Sequence, residues 1–198
     1  MAMNAELKTQ RRAQAHAATR GSILEAARRV AARDGSRDMS LRGVAAEAGF
    51  APAALYGYFA GKDDLLLALA ADDLSHLSRA MRDASRGDGP GKLSAAASAA
   101  LGILRETESV AAALGALPAS AGTSEAERLF NGRMIAALKV LSEASGNRGA
   151  ATRDEQCDVV LVAAAVTGLA MLARSGRLAA LGFTPDEILS RLDARFTS

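Results

Sequence analysis

The chain has 198 residues, of which 49% are hydrophobic and 23% are charged, and its formal net charge is +2. This composition is typical of a soluble globular protein and excludes disordered and collagen-like chains. The single cysteine, Cys157, excludes an intramolecular disulfide and favours a reducing, cytoplasmic location. The longest apolar run, at 159–173, is shorter than the about 20 residues that span a bilayer, so we expect a buried helix and no membrane contact.

The charge is unevenly distributed along the chain. Residues 1–62 carry ten basic and five acidic side chains, a net +5, whereas residues 63–198 carry fourteen basic and seventeen acidic ones, a net −3. A basic N-terminal part on an acidic body predicts that one end of the protein meets a polyanion.

The sequence predicts an all-α protein with nine helices. Prolines occur only at positions 52, 90, 118 and 185, where a helix begins or a loop runs, and no segment alternates as a strand does. A hydroxyl followed three residues later by a carboxylate marks helix starts at Ser124, Thr152 and Thr184. We expect the helices at 19–34, 41–48, 52–59, 62–85, 92–107, 109–117, 124–145, 153–175 and 185–197.

The segment 41–65 reads LRGVAAEAGFAPAALYGYFAGKDDL and contains both tyrosines of the chain. In 41–48, apolar residues at i, i+3, i+4 and i+7 predict one buried helix face, and Gly49 can end this helix in a left-handed conformation. A second, short helix begins at Pro52 and buries Leu55. Together the two helices predict a helix–turn–helix.

The outer face of the second helix carries the small residues Ala53, Ala54 and Gly57, together with Tyr56 and Tyr58. The segment is either an ordinary helical hairpin of a bundle or a unit that reads DNA. Small residues let a helix enter the major groove, which is about 12 Å wide, and tyrosine hydroxyls at its edges can donate to phosphates. A helix that only had to be soluble would carry Lys and Glu there, so we favour DNA binding.

The segment resembles the DNA-binding domain of the TetR family of bacterial transcriptional regulators. The residues that carry the resemblance are Ser40, Ala45, Ala48-Gly49-Phe50, Leu55-Tyr56-Gly57-Tyr58-Phe59, Lys62 and Leu65, preceded by Ile23-Leu24-Glu25-Ala26-Ala27 and Gly35. The likeness implies a flexible basic arm at 1–18, a helix–turn–helix DNA-binding domain at 19–65, and a ligand-binding and dimerisation domain at 66–198. It also implies a homodimer on a double-stranded DNA operator.

The resemblance further implies which side chains contact DNA. Phosphate contacts fall on Ser40, Tyr56, Tyr58 and Lys62. Base contacts fall on Arg42, whose guanidinium can grip guanine, and on Pro52, Ala53, Ala54 and Gly57. The basic arm, with Arg11, Arg12 and Arg20, follows the minor groove or backbone, or else it is a frayed, solvated tail.

The chain departs from the family pattern at two positions of this segment. Ala51 cannot cap the second helix, where the family often has Ser or Thr. Tyr58 replaces a common histidine, which keeps a hydrogen-bond donor but loses titratability. Direct base reading is therefore expected to be sparse, with part of the specificity coming from thymine methyl contacts and DNA shape.

Two C-terminal helices are predicted to form a dimer interface. The helix at 153–175 is apolar nearly all round, so it must be buried on more than one side, and the final helix adds an apolar stripe. The predicted interface residues are Ala163, Ala164, Gly168, Ile188, Leu189, Leu192 and Phe196. The stretch Val166-Thr167-Gly168 also resembles a TetR subgroup that reads Trp-His-Gly or Val-His-Gly there, but it lacks the histidine.

A mostly apolar ligand pocket is expected among the helices at 92–117, 124–145 and 153–175. Its candidate lining residues are Leu101, Leu104, Arg105, Phe130, Met134, Leu138 and Thr167, although the apolar ones are also suited to an ordinary core. Ligand entry would shift the helix at 62–85 and change the spacing of the DNA-binding units. No cofactor is expected, and no metal site either, because His16 and His76 are isolated in the sequence.

These features favour a homodimeric, ligand-responsive transcriptional repressor. An all-α small-molecule binding or interaction protein that uses its basic end for a protein partner is the second hypothesis. An enzyme is the third, because the sequence has no Ser/His/Asp or Cys/His arrangement and no phosphate-binding glycine loop. The carboxylate pairs at 63–64 and 72–73 are expected on a solvated helix face, and Cys157 is expected to be inert.

Overall fold

The structure is a computed structural model that describes residues 2–86, 91–116, 124–147 and 151–196. Within these ranges the chain is helical and contains no strand, which confirms the predicted all-α fold. The helices are α1 (Ala2–Asp34), α2 (Leu41–Ala48), α3 (Pro52–Leu55), α4 (Lys62–Ala84), α5 (Lys92–Glu106), α6 (Ser109–Ala116), α7 (Glu125–Ala144), α8 (Arg153–Arg174), α9 (Arg177–Ala180) and α10 (Pro185–Phe196). The predicted loop at 118–123 and the prolines at 90 and 118 lie outside the described residues.

The structure differs from the predicted helices in three places. α1 begins at Ala2, so the segment expected to be a flexible arm is helical, and its many Ala, Gln and Arg residues are good helix formers. The helix predicted at 52–59 is α-helical only at 52–55, and turns complete it. α9 was not predicted, because its four residues, which lie between the left-handed Gly176 (φ 70°) and Gly182 (φ 80°), are too few to show a period.

The predicted caps hold the helix starts in place. Thr152 and Glu155 form a capping box, with N–H to oxygen distances of 2.6 and 3.3 Å. Thr184 and Glu187 make the same pair of bonds at 2.7 and 3.3 Å, and the Ser124 side chain accepts a bond from the backbone three residues on. The bonds from the Thr152 backbone and hydroxyl lower the pKa of Glu155 below its ordinary value.

α4 packs against helices of both the N-terminal and the C-terminal part of the chain. It contacts α5, α6 and α7 of the C-terminal part, and it also contacts α1. Its buried residues continue from Leu65 to Met81. A displacement of α4 would therefore be felt both by the C-terminal helices and by the helix that precedes the helix–turn–helix.

α8 is buried on one face only. Val162 and Val166 lie in the core, where α8 packs against α5 and α7, whereas Val160, Leu161 and Met171 are 55 to 58% exposed. The predicted burial of one side in the protein's own core is confirmed, whereas burial of the other side against a second subunit stays a prediction, because no element of the described chain covers that outer face. By length and composition alone α8 could also cross a membrane, a test that a helix of a soluble protein can pass too.

Candidate DNA-binding surface

The turn of the helix–turn–helix is set by residues at the two ends of α2. Ser40 is the N-cap, and its Oγ accepts a hydrogen bond from the Gly43 N–H at 3.1 Å. Gly49 ends the helix with φ 75°, which confirms the predicted left-handed conformation. The Phe50 N–H then donates to the Ala45 carbonyl at 2.9 Å and closes the turn. The direction in which the chain enters α3 is thereby fixed.

α3 is held by its buried side chains and has no side-chain cap. Pro52 stands at its first position, and Ala51 makes no capping bond, as its side chain predicts. Leu55 and Phe59 are 0% and 1% exposed and fasten the segment to the core. Hydrophobic burial thus replaces a cap that typically contributes about 1 kcal/mol.

The opposite side of this segment is open to solvent. Tyr56 is 64% exposed. The predicted base-contacting residues are exposed as well, namely Arg42, Pro52, Ala53, Ala54 and Gly57. The structure brings them to one helix–turn–helix, where α2 and α3 are in contact. Their contacts with bases stay a prediction.

Tyr58 differs from Tyr56 because its ring is half-buried against the core. The His16 ring stacks on it, with the ring centroids 4.5 Å apart and the planes at 24°. Next to this stack, the Arg20 guanidinium lies 5.2 Å from the centre of the Phe59 ring. Sequence reasoning placed position 16 in a flexible arm and so missed this contact. The four-residue spacing places His16 and Arg20 on one helix face, but this signal can be used only if α1 is known to include residue 16.

Lys62 and Ser40 both have structural partners at the edge of this surface. The Lys62 ammonium donates to the Arg37 carbonyl oxygen, which ties the start of α4 to the loop before α2. Asp64 accepts a bond from the Ala60 N–H at 3.0 Å and stabilises the same start. Both Ser40 and Lys62 are exposed, so each combines a role in the fold with access to a phosphate.

Some basic side chains of α1 form ion pairs within the fold, and others face solvent. Arg29 and Arg33 both bond Glu47 of α2, at 2.7 and 3.2 Å, and the Arg29 bond is the main reason that the pKa of Glu47 is lowered. Arg11 and Arg12 are exposed on α1. Their contact with DNA stays a prediction.

A buried ion pair connects α1 with the body of the protein. Arg28 donates to Asp73 at 2.7 Å and to Asp72 at 2.9 Å, and the Ser109 hydroxyl of α6 donates to the other Asp73 oxygen. Burial alone would lower the pKa of Arg28, but the bonds to Asp73 and Asp72 outweigh it and raise the pKa. Asp73 is 2% exposed, so the expectation that this carboxylate lies on a solvated face is wrong. An arginine 45 residues earlier allows its burial.

The same carboxylates lie close to a histidine. Oxygens of Asp72 and Asp73 and a ring nitrogen of His76 are within 4.8 Å of one another, a spacing that could hold a metal ion. His76 is therefore not isolated in the fold, contrary to the expectation from the sequence. The Arg28 guanidinium already lies against both carboxylates and supplies the positive charge, so we assign no metal to this cluster.

The predicted ligand-lining residues fall in different environments. Leu101, Leu104 and Phe130 are buried in the core. The Thr167 hydroxyl donates to the Ala163 carbonyl of its own helix at 2.8 Å. The remaining members are Met134 and Leu138, which are half-buried, and Arg105, which is exposed.

Two of these residues line separate cavities. Leu138 lines an apolar groove of about 790 Å³ between α7 and α8, together with Ile135 and Val159. Arg105 lines a different cleft of about 600 Å³, together with Arg28 and Asp73. The structure therefore does not bring the predicted lining residues together around one cavity.

The predicted dimer residues are also divided by the fold. Leu189 and Leu192 are buried in their own chain, because α10 packs on α5 and α8. Ala164 is exposed, and the half-buried members are Ala163, Gly168, Ile188 and Phe196. Large apolar side chains that the prediction missed stand on the outer face of α8, namely Val160, Leu161, Met171 and Leu172. Their signal in the sequence was the lack of polar residues around this helix.

The chain thus has a helix–turn–helix followed by a larger group of helices. The second helix of this unit is exposed and carries small side chains. This combination defines a helix–turn–helix DNA-binding regulator. Residues 23–69 match the family model of bacterial regulatory proteins of the tetR family. The N-terminal segment of this chain therefore matches the DNA-binding segment of that family, and the fold as a whole is shared with transcriptional regulators.

Solved structures share this fold over most of their length. A Rhodococcus sp. RHA1 protein of unknown function is 26% identical, with 90% of this chain and 93% of that chain covered and a TM-score of 0.68. The regulator FadR from Bacillus subtilis, in complex with stearoyl-CoA, is 17% identical (89% and 97% covered, TM-score 0.62). BioQ, with its natural double-stranded DNA operator, is 22% identical (90% and 97% covered, TM-score 0.60). Among curated proteins, no sequence matches this chain.

Proposed function

We propose that the protein is a ligand-responsive repressor of transcription, released from a pseudo-palindromic DNA operator when a small, largely apolar molecule binds its C-terminal domain. The observation that carries this proposal is the exposed helix–turn–helix at 40–62, inside the segment that matches the family model. The basic N-terminal part of the chain supports a polyanionic partner.

The DNA contacts divide into those that position the protein and those that read sequence. Ser40, Tyr56, Tyr58 and Lys62 contact phosphates, and they surround α3 with hydroxyl and ammonium donors. Arg42 is the main base reader, because a guanidinium bonds guanine bidentately, which is worth about 1–3 kcal/mol of discrimination. Small residues on α3 and in the turn after it allow close approach to the floor of the groove, namely Pro52, Ala53, Ala54 and Gly57.

A homodimer presents two such surfaces to one duplex. The exposed apolar side chains on α8 support a two-fold interface, with α10 alongside and small residues such as Ala164 allowing close helix approach. Two recognition helices about 34–36 Å apart match one turn of DNA, so the operator has two-fold symmetry. The protein works as a soluble cytoplasmic dimer without a membrane partner.

Release follows from the packing of α4. A small molecule that enters among the helices of the C-terminal domain would displace α7, and α7 packs on α4. Asp73 of α4 holds Arg28 of α1, so this displacement reaches the DNA-binding unit. The apolar character of predicted pocket residues such as Leu101, Leu104 and Phe130 supports a hydrophobic effector, and stearoyl-CoA in the Bacillus subtilis regulator is a precedent for an acyl compound.

A mobility-shift titration with the DNA that flanks the protein's own gene tests the proposal. We expect Lys62→Ala to weaken binding to all sequences and to reduce the salt slope by about 1 for each phosphate that is no longer bound. Arg42→Ala should also relax the base preference. Lys139→Ala, which removes an exposed lysine of α7, is the matched control and should bind like the wild type. A wild-type protein that ignores duplex DNA at low ionic strength would refute DNA binding.

A further inference from the structure

The N-terminal half of α1 is fastened to the helix–turn–helix at two points. Further along the same helix, Ile23, Ala26 and Ala27 are buried in the core and fix its axis. Residues 6–18 are exposed, yet the His16 ring stacks on Tyr58 and Arg20 lies over Phe59. The first half of α1 therefore has a defined direction, because both contacts end on the segment that follows α3.

Helical geometry determines which basic side chains share the docked face. Residues four apart differ by about 40° around an α-helix, so Arg12 lies about 40° from His16 and Lys8 about 80° from it. Arg11 lies about 140° away from His16 on the same wheel. The row from His16 to Lys8 extends about 12 Å along the axis. Duplex DNA carries one phosphate charge per about 1.7 Å of its length, so such a row can meet more than one phosphate.

We propose that the N-terminal half of α1 is a docked extension of the DNA-binding surface. Lys8 and Arg12 bind the phosphates that flank the site entered by α3. His16 and Arg20 are positioning residues, which hold this helix against Tyr58 and Phe59 and so set the orientation of the Tyr58 hydroxyl. This assignment rests on the proposed function, and it gives Arg20 a role in docking in place of direct DNA contact.

The comparison between Arg12 and Arg11 distinguishes a docked helix from a loose basic arm. DNA binding is measured by fluorescence anisotropy over a range of salt concentrations, with the duplex that flanks the protein's own gene. Arg12→Gln is expected to reduce the salt slope by about 1 for each phosphate released, and Arg11→Gln to reduce it less. Arg79→Gln, an exposed arginine of α4, is the control. Equal effects at positions 11 and 12 would overturn the docked orientation.

The stack itself is tested with two substitutions at one position. His16→Ala is expected to weaken DNA binding by about 2- to 10-fold, the range that an aromatic pair supplies. His16→Phe keeps an aromatic ring on Tyr58 and should restore most of the affinity. If His16→Ala binds like the wild type, the positioning role is wrong. A wild-type protein that binds no duplex would instead refute the proposed function on which this assignment rests.

Tyrosine fluorescence gives a readout that is independent of DNA. The chain has no tryptophan and two tyrosines, so in the Tyr56→Phe background Tyr58 is the only strong emitter. Adding His16→Ala should make Tyr58 more accessible to iodide quenching, whereas His16→Phe should protect it. Unchanged quenching in both variants would show that α1 does not dock on Tyr58 in solution.

Discussion

Tyr56 and Tyr58 are two residues apart, yet the fold uses their rings differently. Tyr56 is 64% exposed and has its hydroxyl free for a phosphate. Tyr58 packs on the core and on His16, so its ring stabilises the domain as well as presenting a hydroxyl. The position of a side chain relative to the core thus decides whether its removal affects binding alone or binding and folding together.

Tyr56→Phe is the sharpest single-residue test of the phosphate contacts. The substitution keeps the ring and removes one hydrogen bond, so we expect affinity for all duplex sequences to fall by about 3- to 10-fold. The melting temperature should stay unchanged, because the ring is exposed. Anisotropy titrations and thermal melts measure the two quantities. Unaltered affinity would remove Tyr56 from the phosphate-binding set, and Tyr58→Ala is the comparison that should lower both.

At the scale of elements, one backbone position determines the angle between α2 and α3. Gly49 has φ 75°, and open space surrounds the position of an added Cβ, so the demand for glycine there is purely conformational. A non-glycine residue in the left-handed region is destabilised by about 1–2 kcal/mol.

We expect Gly49→Ala to lower the free energy of unfolding by about 1–2 kcal/mol. Gly21→Ala is the matched control, since Gly21 is exposed within α1 and also has open space at its Cβ. There the same substitution should stabilise by about 0.5–1 kcal/mol, because alanine favours a helix interior. Urea unfolding measures both values. A neutral or stabilising Gly49→Ala would contradict the assigned turn conformation.

The capping box of α8 gives the stability a dependence on pH. Its hydrogen bonds lower the pKa of Glu155 in the folded chain, so this contribution is complete above the unfolded pKa and disappears as pH falls through the folded pKa. We expect Glu155→Gln to be less stable than the wild type near pH 7, with a difference that shrinks as the pH falls through the lowered pKa of Glu155. Urea unfolding at several pH values follows it. A pH-independent difference would contradict the cap.

The sequence predicted these elements where local chemistry determines them. Gly49, Pro52 and the Thr152–Glu155 pair each specify a turn or a helix start within a few residues, and the structure has all three. The extension of α1 was missed because polar, alanine-rich termini also suit a frayed tail. The buried Asp73 was missed because its partner, Arg28, is 45 residues away in the sequence.

For the whole molecule, one carboxylate connects three helices. Asp73 of α4 binds Arg28 of α1 and Ser109 of α6, so the DNA-binding unit and the C-terminal helices share a single buried charge. Removing it would leave the buried Ser109 hydroxyl without its acceptor, and the partly buried Arg28 guanidinium would keep only Asp72 and Glu25. The two parts of the chain would then respond less to each other.

Asp73→Ala should lower the free energy of unfolding by about 3 kcal/mol or more, the usual effect of breaking a buried ion pair from one side. Asp72→Ala is the matched control, because that carboxylate is 36% exposed, and it should lower the stability by no more than about 1 kcal/mol. Differential scanning calorimetry measures both and also shows whether unfolding divides into two steps. Equal decreases would mean that Asp73 does not link the two parts.

In the proposed homodimer, the outer face of α8 decides whether two recognition helices can bind one operator together. Leu161 is 57% exposed there, and a carboxylate at this position in a closed interface would be desolvated without a partner. We therefore expect Leu161→Glu to convert the dimer to monomers in sedimentation equilibrium and to abolish tight operator binding while leaving helix content intact. Leu114→Glu, at a residue of α6 that is 50% exposed, should remain dimeric and bind DNA. If Leu161→Glu stayed dimeric, the two-fold axis would have to pass through another face, and the spacing of the two DNA-binding units would follow from that face instead.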